Sequence, residues 1–207
     1  MRDTLSSVGL VSKVISAHSV SVDGYITGRG AGPGHGLGDG SMLFDWYGDG
    51  DVPSEVFEGF RLSEPSARLF DGLAARIGAS VCGRKTYDDS DQFGGGSPHP
   101  TAPLVVLSHR PVDGLGEGQT LVTTSVEDAI AAAREIAGDQ DVAVMGGGAL
   151  TSALQADLVD ELVLHQVPVL LGAGRPFFQE LPDHVRLRLI EAVPAPGVTH
   201  LHYEVVR

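Results

Sequence analysis

Cysteine is nearly missing from the 207 residues: Cys82 stands alone. That excludes an internal disulfide and fits a reducing compartment. Basic residues are scarce too, with 14 Lys and Arg against 27 Asp and Glu, a formal charge of −13. Such a chain is a poor partner for nucleic acid or an anionic membrane, although local cations still permit an anionic small ligand. Long apolar runs are absent. Nothing approaches the roughly 20 residues of a membrane span, and the opening "MRDTLSSVGLVS" lacks the apolar region of a secretory signal. The cytoplasm is the expected location. The patterns G-x-G-x-x-G, Gly-Lys-Ser/Thr, G-x-S-x-G and H-E-x-x-H do not occur. Their absence removes the usual dinucleotide fingerprint, the P-loop, the hydrolase elbow and the zincin site. The eight histidines are scattered, and no metal site is expected.

What remains reads as an ordinary globular chain of one domain over residues 13–207, behind a flexible N-terminal extension at 1–12. Short apolar strands alternate with helical patterns. "KVISAHSV" (13–20) reads as a first strand, and "SARLFDGLAARIG" (66–78) as a helix closed by Gly78. "ASVCG" (79–83), "PLVVLS" (103–108) and "DVAVM" (141–145) are continuous apolar runs of the kind buried parallel strands show. Ser125 is placed to cap a helix over 125–137, and a short helix follows at 149–156. "ELVLHQVPVLLG" (161–172) reads as a long strand, with Pro168 marking a bulge or an edge. Two alternating runs around "PAPG" near the C-terminus predict an antiparallel hairpin, with His200 and His202 on its solvated face. The fold class is α/β in three layers, a mostly parallel central sheet ending in an antiparallel hairpin.

Three strand ends carry chemistry suited to an anion. After "DVAVM" come Gly146, Gly147 and Gly148 and then a helical pattern. Either the turn needs unusual backbone angles, or a ligand approaches too closely for a Cβ. "VCGRKTY" ends a second strand in Gly83, Arg84, Lys85 and Thr86, and "VVLSHR" ends a third in Ser108, His109 and Arg110. Each alone also reads as an ordinary turn, tight and structural at the glycines or solvated at the cations. Together, at the edge where open α/β sheets bind ligands, they point to a phosphate-bearing cofactor. The loop "GRGAGPGHGLGDG" (28–40) is a surface connection or a lid. Cys82 reads as a small buried core residue or a nucleophile.

These segments, with "HSVSVDGYITG" (18–28), "GDGSMLFDW" (38–46), "ADLVDELVLHQVPVLLGAGRPFF" (156–178) and "GVTHLHYEV" (197–205), resemble the dihydrofolate reductase-like superfamily. Within it the likeness is to the group that includes the reductase domain of riboflavin biosynthesis, as a stand-alone member. The resemblance implies NADPH as hydride donor. It places Gly83, Arg84 and Thr86 on the adenosine-side phosphates and Ser108 near the adenine ribose, with Arg110 added as a second charge. Gly146, Gly147, Gly148, Ala149 and Leu150 match the corner that admits the pyrophosphate. Ser19 and Ile26 would lie near the nicotinamide, with Asp23 and Gly24 at the start of the loop over it. Asp23 is the candidate proton donor or a turn residue, and Trp46 a pocket wall or an anchor. The carboxylate that holds a pterin ring in dihydrofolate reductases has no clear match, since Glu64 precedes the helix and Asp71 falls deep within it. The function implied is NADPH-dependent reduction of a small heterocyclic or carbonyl substrate, pterin- or ribosylaminopyrimidine-like. The alternative is a non-catalytic NADP-binding or regulatory protein. A homodimer through the C-terminal strands is expected.

Overall fold

The structure, a computed structural model, describes residues 12–207. Apart from Ser12, the expected extension over 1–12 lies outside the described residues. β1 (Val14–Ser21) buries Val14, Ile15 and Val20 and also Ser16 and Ser19, because both of its faces are covered. The chain then forms β2 (Tyr25–Thr27), the glycine-rich loop, a 3-10 turn over Ser41–Tyr47, and the short pair β3 (Val52–Pro53) and β4 (Arg61–Leu62). α1 (Glu64–Ala74) begins where Ser63 accepts the Ser66 N–H, with Pro65 in its first turn.

The helix expected over 66–78 therefore starts and stops earlier. Ile77 and Gly78 already belong to β5 (Ile77–Gly83). A Cβ on Gly78 would stand 2.9 Å from the Ala137 carbonyl oxygen, so this glycine answers crowding against the chain around Ala137 and Gln140 rather than ending a helix. α2 (Arg84–Asp89) follows at once, then a 3-10 turn (Asp91–Gly95), β6 (Leu104–Leu107) and β7 (Gln119–Val122). α3 (Val126–Ala137) is capped by Ser125, whose hydroxyl accepts the Asp128 N–H, and it buries Val126, Ala129, Ile130 and Ala133. After it come β8 (Asp141–Met145), α4 (Gly147–Gln155), β9 (Glu161–Val167), β10 (Arg175–Pro176), β11 (Arg186–Ala195) and β12 (Val198–Val206). β9 is shorter than the 161–172 run because Pro168 has no N–H to continue the ladder.

Eight strands make one sheet in the order β11-β12-β9-β1-β8-β5-β6-β7. Pairings from β9 through β7 are parallel, and β12 pairs antiparallel with both β9 and β11. The expected mixed α/β architecture with a C-terminal hairpin is what forms. One reading of that hairpin is overturned. His200 and His202 are buried, not solvated. α1 reaches over this face, where Ser66 Oγ meets His200 Nε2 at 2.9 Å, and Glu161 takes His202 Nε2 at 3.0 Å. A polar side chain in a β pattern lies inside when a partner satisfies it. No helix among the described residues is long and apolar enough to cross a membrane.

Candidate active site

The register of the sheet opens the site. β8 pairs with β1 only through Val14↔Val142 and Ile15↔Ala143 and ends at Met145, while β1 runs on to Ser21 beside β9. A crevice therefore opens where β8 leaves β1. Because α4 carries the chain from β8 over to β9 while β5, β6 and β7 extend the other way, this is the switch point of the sheet. The cleft there has a volume of about 1010 Å³ and crosses the ends of β1, β8, β5 and β6. Of the expected residues, Ser19, Ile26, Gly83, Arg84, Thr86, Ser108, Arg110, Gly146, Gly147, Gly148 and Ala149 line it.

The three glycines have different causes. Gly146, the N-cap of α4, has φ 81° and ψ 147°, an arrangement nearly restricted to glycine. A Cβ there would also collide with Thr86 Oγ1. Gly147 lies against backbone, 2.8 Å and 2.9 Å from the Phe177 and Pro176 carbonyl oxygens to its absent Cβ. Gly148 has no such neighbour; the nearest atom is Gln179 Nε2 at 3.7 Å, and the residue is exposed in the cleft. No side chain caps α4, so its first N–H groups face the cleft with the positive end of the helix dipole. The Gly146 N–H is already committed, donating to His18 Nε2 at 2.9 Å. His18 thus accepts in its neutral form, and burial lowers its pKa to about 4.

Cations and hydroxyls gather at the β5 and β6 ends. Arg84 Nε donates to both oxygens of Asp88 at 2.8 Å, and its Nη1 donates to the Pro111 carbonyl. Its guanidinium is therefore aimed by its own helix rather than loose. Ser108 Oγ donates to the Arg110 carbonyl at 2.7 Å and accepts the Arg110 N–H, fixing that turn. Arg110 has no carboxylate partner among the described residues. Next along α2, Lys85 and Arg175 share Asp89, and Gly34 of the glycine-rich loop donates to Asp91 at 3.2 Å. That loop supplies Gly36 and Leu37 to the cleft wall.

Four of the expected site residues, Asp23, Gly24, Trp46 and Leu150, do not line the cleft. Asp23 is not in the cleft. Its carboxylate accepts the Ser21 hydroxyl and the N–H groups of Leu171 and Gly172, and the Ser21 hydrogen bond first, then the two backbone ones, hold it below the usual carboxylate range. A carboxyl so held is a turn clamp and a poor acid. Gly24 sits in the same turn, at φ 86°. Trp46 is buried behind the cleft wall, with Nε1 donating to Ser19 Oγ at 3.0 Å, and is an anchor. Leu150, on the opposite face of α4 from Gly148, is fully buried in the core. Glu64 is exposed and Asp71 accepts from Ser54 and Glu55; neither reaches the cleft. Cys82 is buried, its thiol pushed up to about 12 chiefly by burial, which settles it as a core residue.

His18, Phe44 and Tyr47 line the cleft without having been singled out. For Phe44 and Tyr47 the signal was present in "FDWY", an aromatic cluster in a polar stretch that folds as the 3-10 turn against β1, to which His18 belongs.

A sequence model of the RibD C-terminal domain matches residues 12–201. An uncharacterized Bacillus subtilis (strain 168) protein, YwjB, is 26% identical over 192 residues, 92% of this chain and 97% of its own. A crystal structure from Shewanella sp. PV-4, provisionally assigned to riboflavin biosynthesis, superposes with a TM-score of 0.68 at 26% identity, covering 95% of this chain and all of that one. A dihydrofolate reductase from Enterococcus faecalis, solved with NADP(H), shares the fold at a TM-score of 0.59 and 19% identity, over 94% of this chain and 97% of its own.

Proposed function

Because the chain belongs to the RibD C-terminal domain family, within the dihydrofolate reductase-like superfamily, we propose that it is an NADPH-dependent reductase of a small heterocyclic or carbonyl substrate. The observation that carries this reading is the convergence of three parallel strand ends on one cleft, with an uncapped helix N-terminus at its centre. The cradle fits a dinucleotide. Gly148 leaves open space where any larger residue would put a side chain, and the free N–H groups of Gly148 and Ala149 suit a pyrophosphate. Arg84 and Arg110 flank the β5 and β6 ends, where they would hold the 2′-phosphate, with Thr86 and Ser108 beside them. Ser19, His18 and Ile26 line the far end, where the nicotinamide would lie. Bound NADPH would supply the hydride, and the protein would position the two reactants against each other.

The test uses Trp46, the single tryptophan, as the fluorescence reporter in titrations with NADPH and NADH. Arg84→Ala is expected to weaken NADPH by about 1.5–3 kcal/mol, one charge-assisted phosphate contact, while scarcely changing NADH. If neither nucleotide binds the wild type, the reductase reading falls.

The homodimer is proposed on the edge strand β11, where Leu189 and Ile190 are 53% and 47% exposed. An apolar edge of this kind invites pairing. Leu189→Glu is expected to shift the protein to monomer in sedimentation; a wild type already monomeric at micromolar concentration rejects the idea.

A further inference from the structure

β1 sends neighbouring side chains to opposite faces of the sheet. Ser19 turns to the Trp46 side, where its Oγ accepts the indole N–H at 3.0 Å. His18, one residue earlier, turns to the α4 side. There its ring meets Phe177 edge-on at 5.0 Å, and its Nε2 takes the Gly146 N–H at 2.9 Å. The two contacts hold the imidazole in one orientation, and it lines the cleft where β8 leaves β1.

The contact with Gly146 also fixes where the proton sits. A backbone N–H can only donate, so Nε2 must offer its lone pair. An imidazole with that lone pair in use is neutral and carries its hydrogen on Nδ1. Burial agrees, since it brings the pKa to about 4 and keeps the ring neutral at pH 7. Nδ1 has no hydrogen-bond partner among the described residues, and unlike His165 Nε2 it is not sealed in the interior. Its N–H is therefore a donor open to the cleft, and the proton cannot move to Nε2 without breaking the bond to Gly146.

Position decides what this donor serves. Gly146 is the N-cap of α4, and the free N–H groups of Gly148 and Ala149 follow in the first turn. A dinucleotide with its pyrophosphate on those groups sends its adenosine side toward Arg84 and Arg110 at the β5 and β6 ends. Its nicotinamide half then goes the other way, past the N-cap to β1. That half carries oxygen acceptors in its carboxamide and its ribose hydroxyls.

We infer that His18 is a cofactor-binding residue, its Nδ1–H donating to an oxygen of the nicotinamide half of NADP(H) while its Nε2 holds the Gly146 corner. The inference rests on the reductase reading and adds a residue to it. A neutral imidazole is no acid near pH 7, so His18 orients the cofactor and gives no proton to the reaction.

The two roles come apart by substitution. In His18→Gln the amide oxygen reaches the Nε2 position and still accepts from Gly146, while the Nδ1 position is left without a donor. His18→Asn does the reverse, placing an amide N–H near Nδ1 and nothing at Nε2. Calorimetry uses three probes: NADP⁺; 2′-phospho-ADP-ribose, which lacks the base; and 2′,5′-ADP, which lacks the whole nicotinamide half. His18→Gln is expected to weaken NADP⁺ about tenfold, leave 2′,5′-ADP unchanged and melt with the wild type. His18→Asn is expected to melt lower yet keep the wild-type ratio of NADP⁺ to 2′,5′-ADP affinity. A loss in His18→Gln shared by 2′-phospho-ADP-ribose supports the inference and puts the bond on the ribose; a loss confined to NADP⁺ supports it and puts the bond on the carboxamide. Equal losses for NADP⁺ and 2′,5′-ADP would mean that the corner was damaged and not the donor, and unchanged NADP⁺ affinity would leave Nδ1 without a ligand. Either result overturns the inference and leaves the reductase reading standing, because the wild type still binds NADP⁺. Nitrogen-15 NMR of the histidine-labelled wild type needs no variant to fold. The His18 proton should sit on Nδ1 in the free protein, and its resonance should move with NADP⁺ but not with 2′,5′-ADP; a proton on Nε2, or no response to NADP⁺, overturns the inference as well. Failure of NADP⁺ to bind the wild type takes both readings down.

Discussion

Glu161→Gln is expected to cost about 3 kcal/mol of folding stability at pH 7. Glu161 opens β9 with its side chain 4% exposed, and its two oxygens take Lys13 Nζ, His202 Nε2 at 3.0 Å and Arg76 Nη2 at 3.3 Å. Burial alone would raise its pKa. The hydrogen bonds from His202 and Lys13, followed by the charges of Arg76 and Lys13, overcome that and bring it from 4.5 to about 2. A drop of that size is worth about 3 kcal/mol by linkage. The carboxylate is better bound in the folded state, so its contribution is complete above about pH 4.5 and drains away as the pH falls through about 2. Arg76 and Lys13 are 36% and 46% exposed and turn to water when the charge is removed, which keeps the cost near the lower end for a broken buried pair. Urea unfolding of both proteins at pH 7 and pH 3 checks it. The gap between them should shrink at pH 3; a constant gap would mean that the loss is one of shape and not of charge.

The position of Glu161 also shows what the sequence hides. Its partners lie at Lys13, Arg76 and His202, distances along the chain that no local pattern encodes. The same holds for the wet face expected on β12. Alternation placed His200 and His202 on one side correctly; which side is dry depends on α1 lying over it and on Ser66, 134 residues away, meeting His200. The central strands were legible because burial on both faces writes itself as continuous apolar runs. Their three ends were legible for the same reason, since cations or glycines just past such a run fall at the edge of the sheet. Depth was not legible. Trp46 and Tyr47 are adjacent in sequence, yet one is buried behind the wall and the other forms it. Asp23 looked acidic and near the nicotinamide end, but only the fold brings the Leu171 and Gly172 N–H groups to it.

The glycine corner separates structural need from ligand need most sharply, because its three members have separable causes. Gly146→Ala must force a non-glycine residue to φ 81° and displace Thr86, and a loss of about 2–4 kcal/mol is expected. Gly147→Ala drives a methyl onto two backbone carbonyls that have no rotamer with which to retreat, and should destabilise comparably. Gly148→Ala does neither. The residue is helical, exposed and free of contacts under 3.7 Å, so alanine there should hold or raise stability by up to about 1 kcal/mol. Its methyl would nevertheless stand in the cleft at the helix N-terminus, in the space proposed for the pyrophosphate. NADPH affinity should fall at least tenfold in a protein that melts no lower than wild type. Melting curves and NADPH titrations on the three variants measure the two effects apart. Unchanged NADPH affinity in Gly148→Ala would mean that the pyrophosphate does not approach this helix, and the strand ends would have to hold the cofactor in some other pose or none.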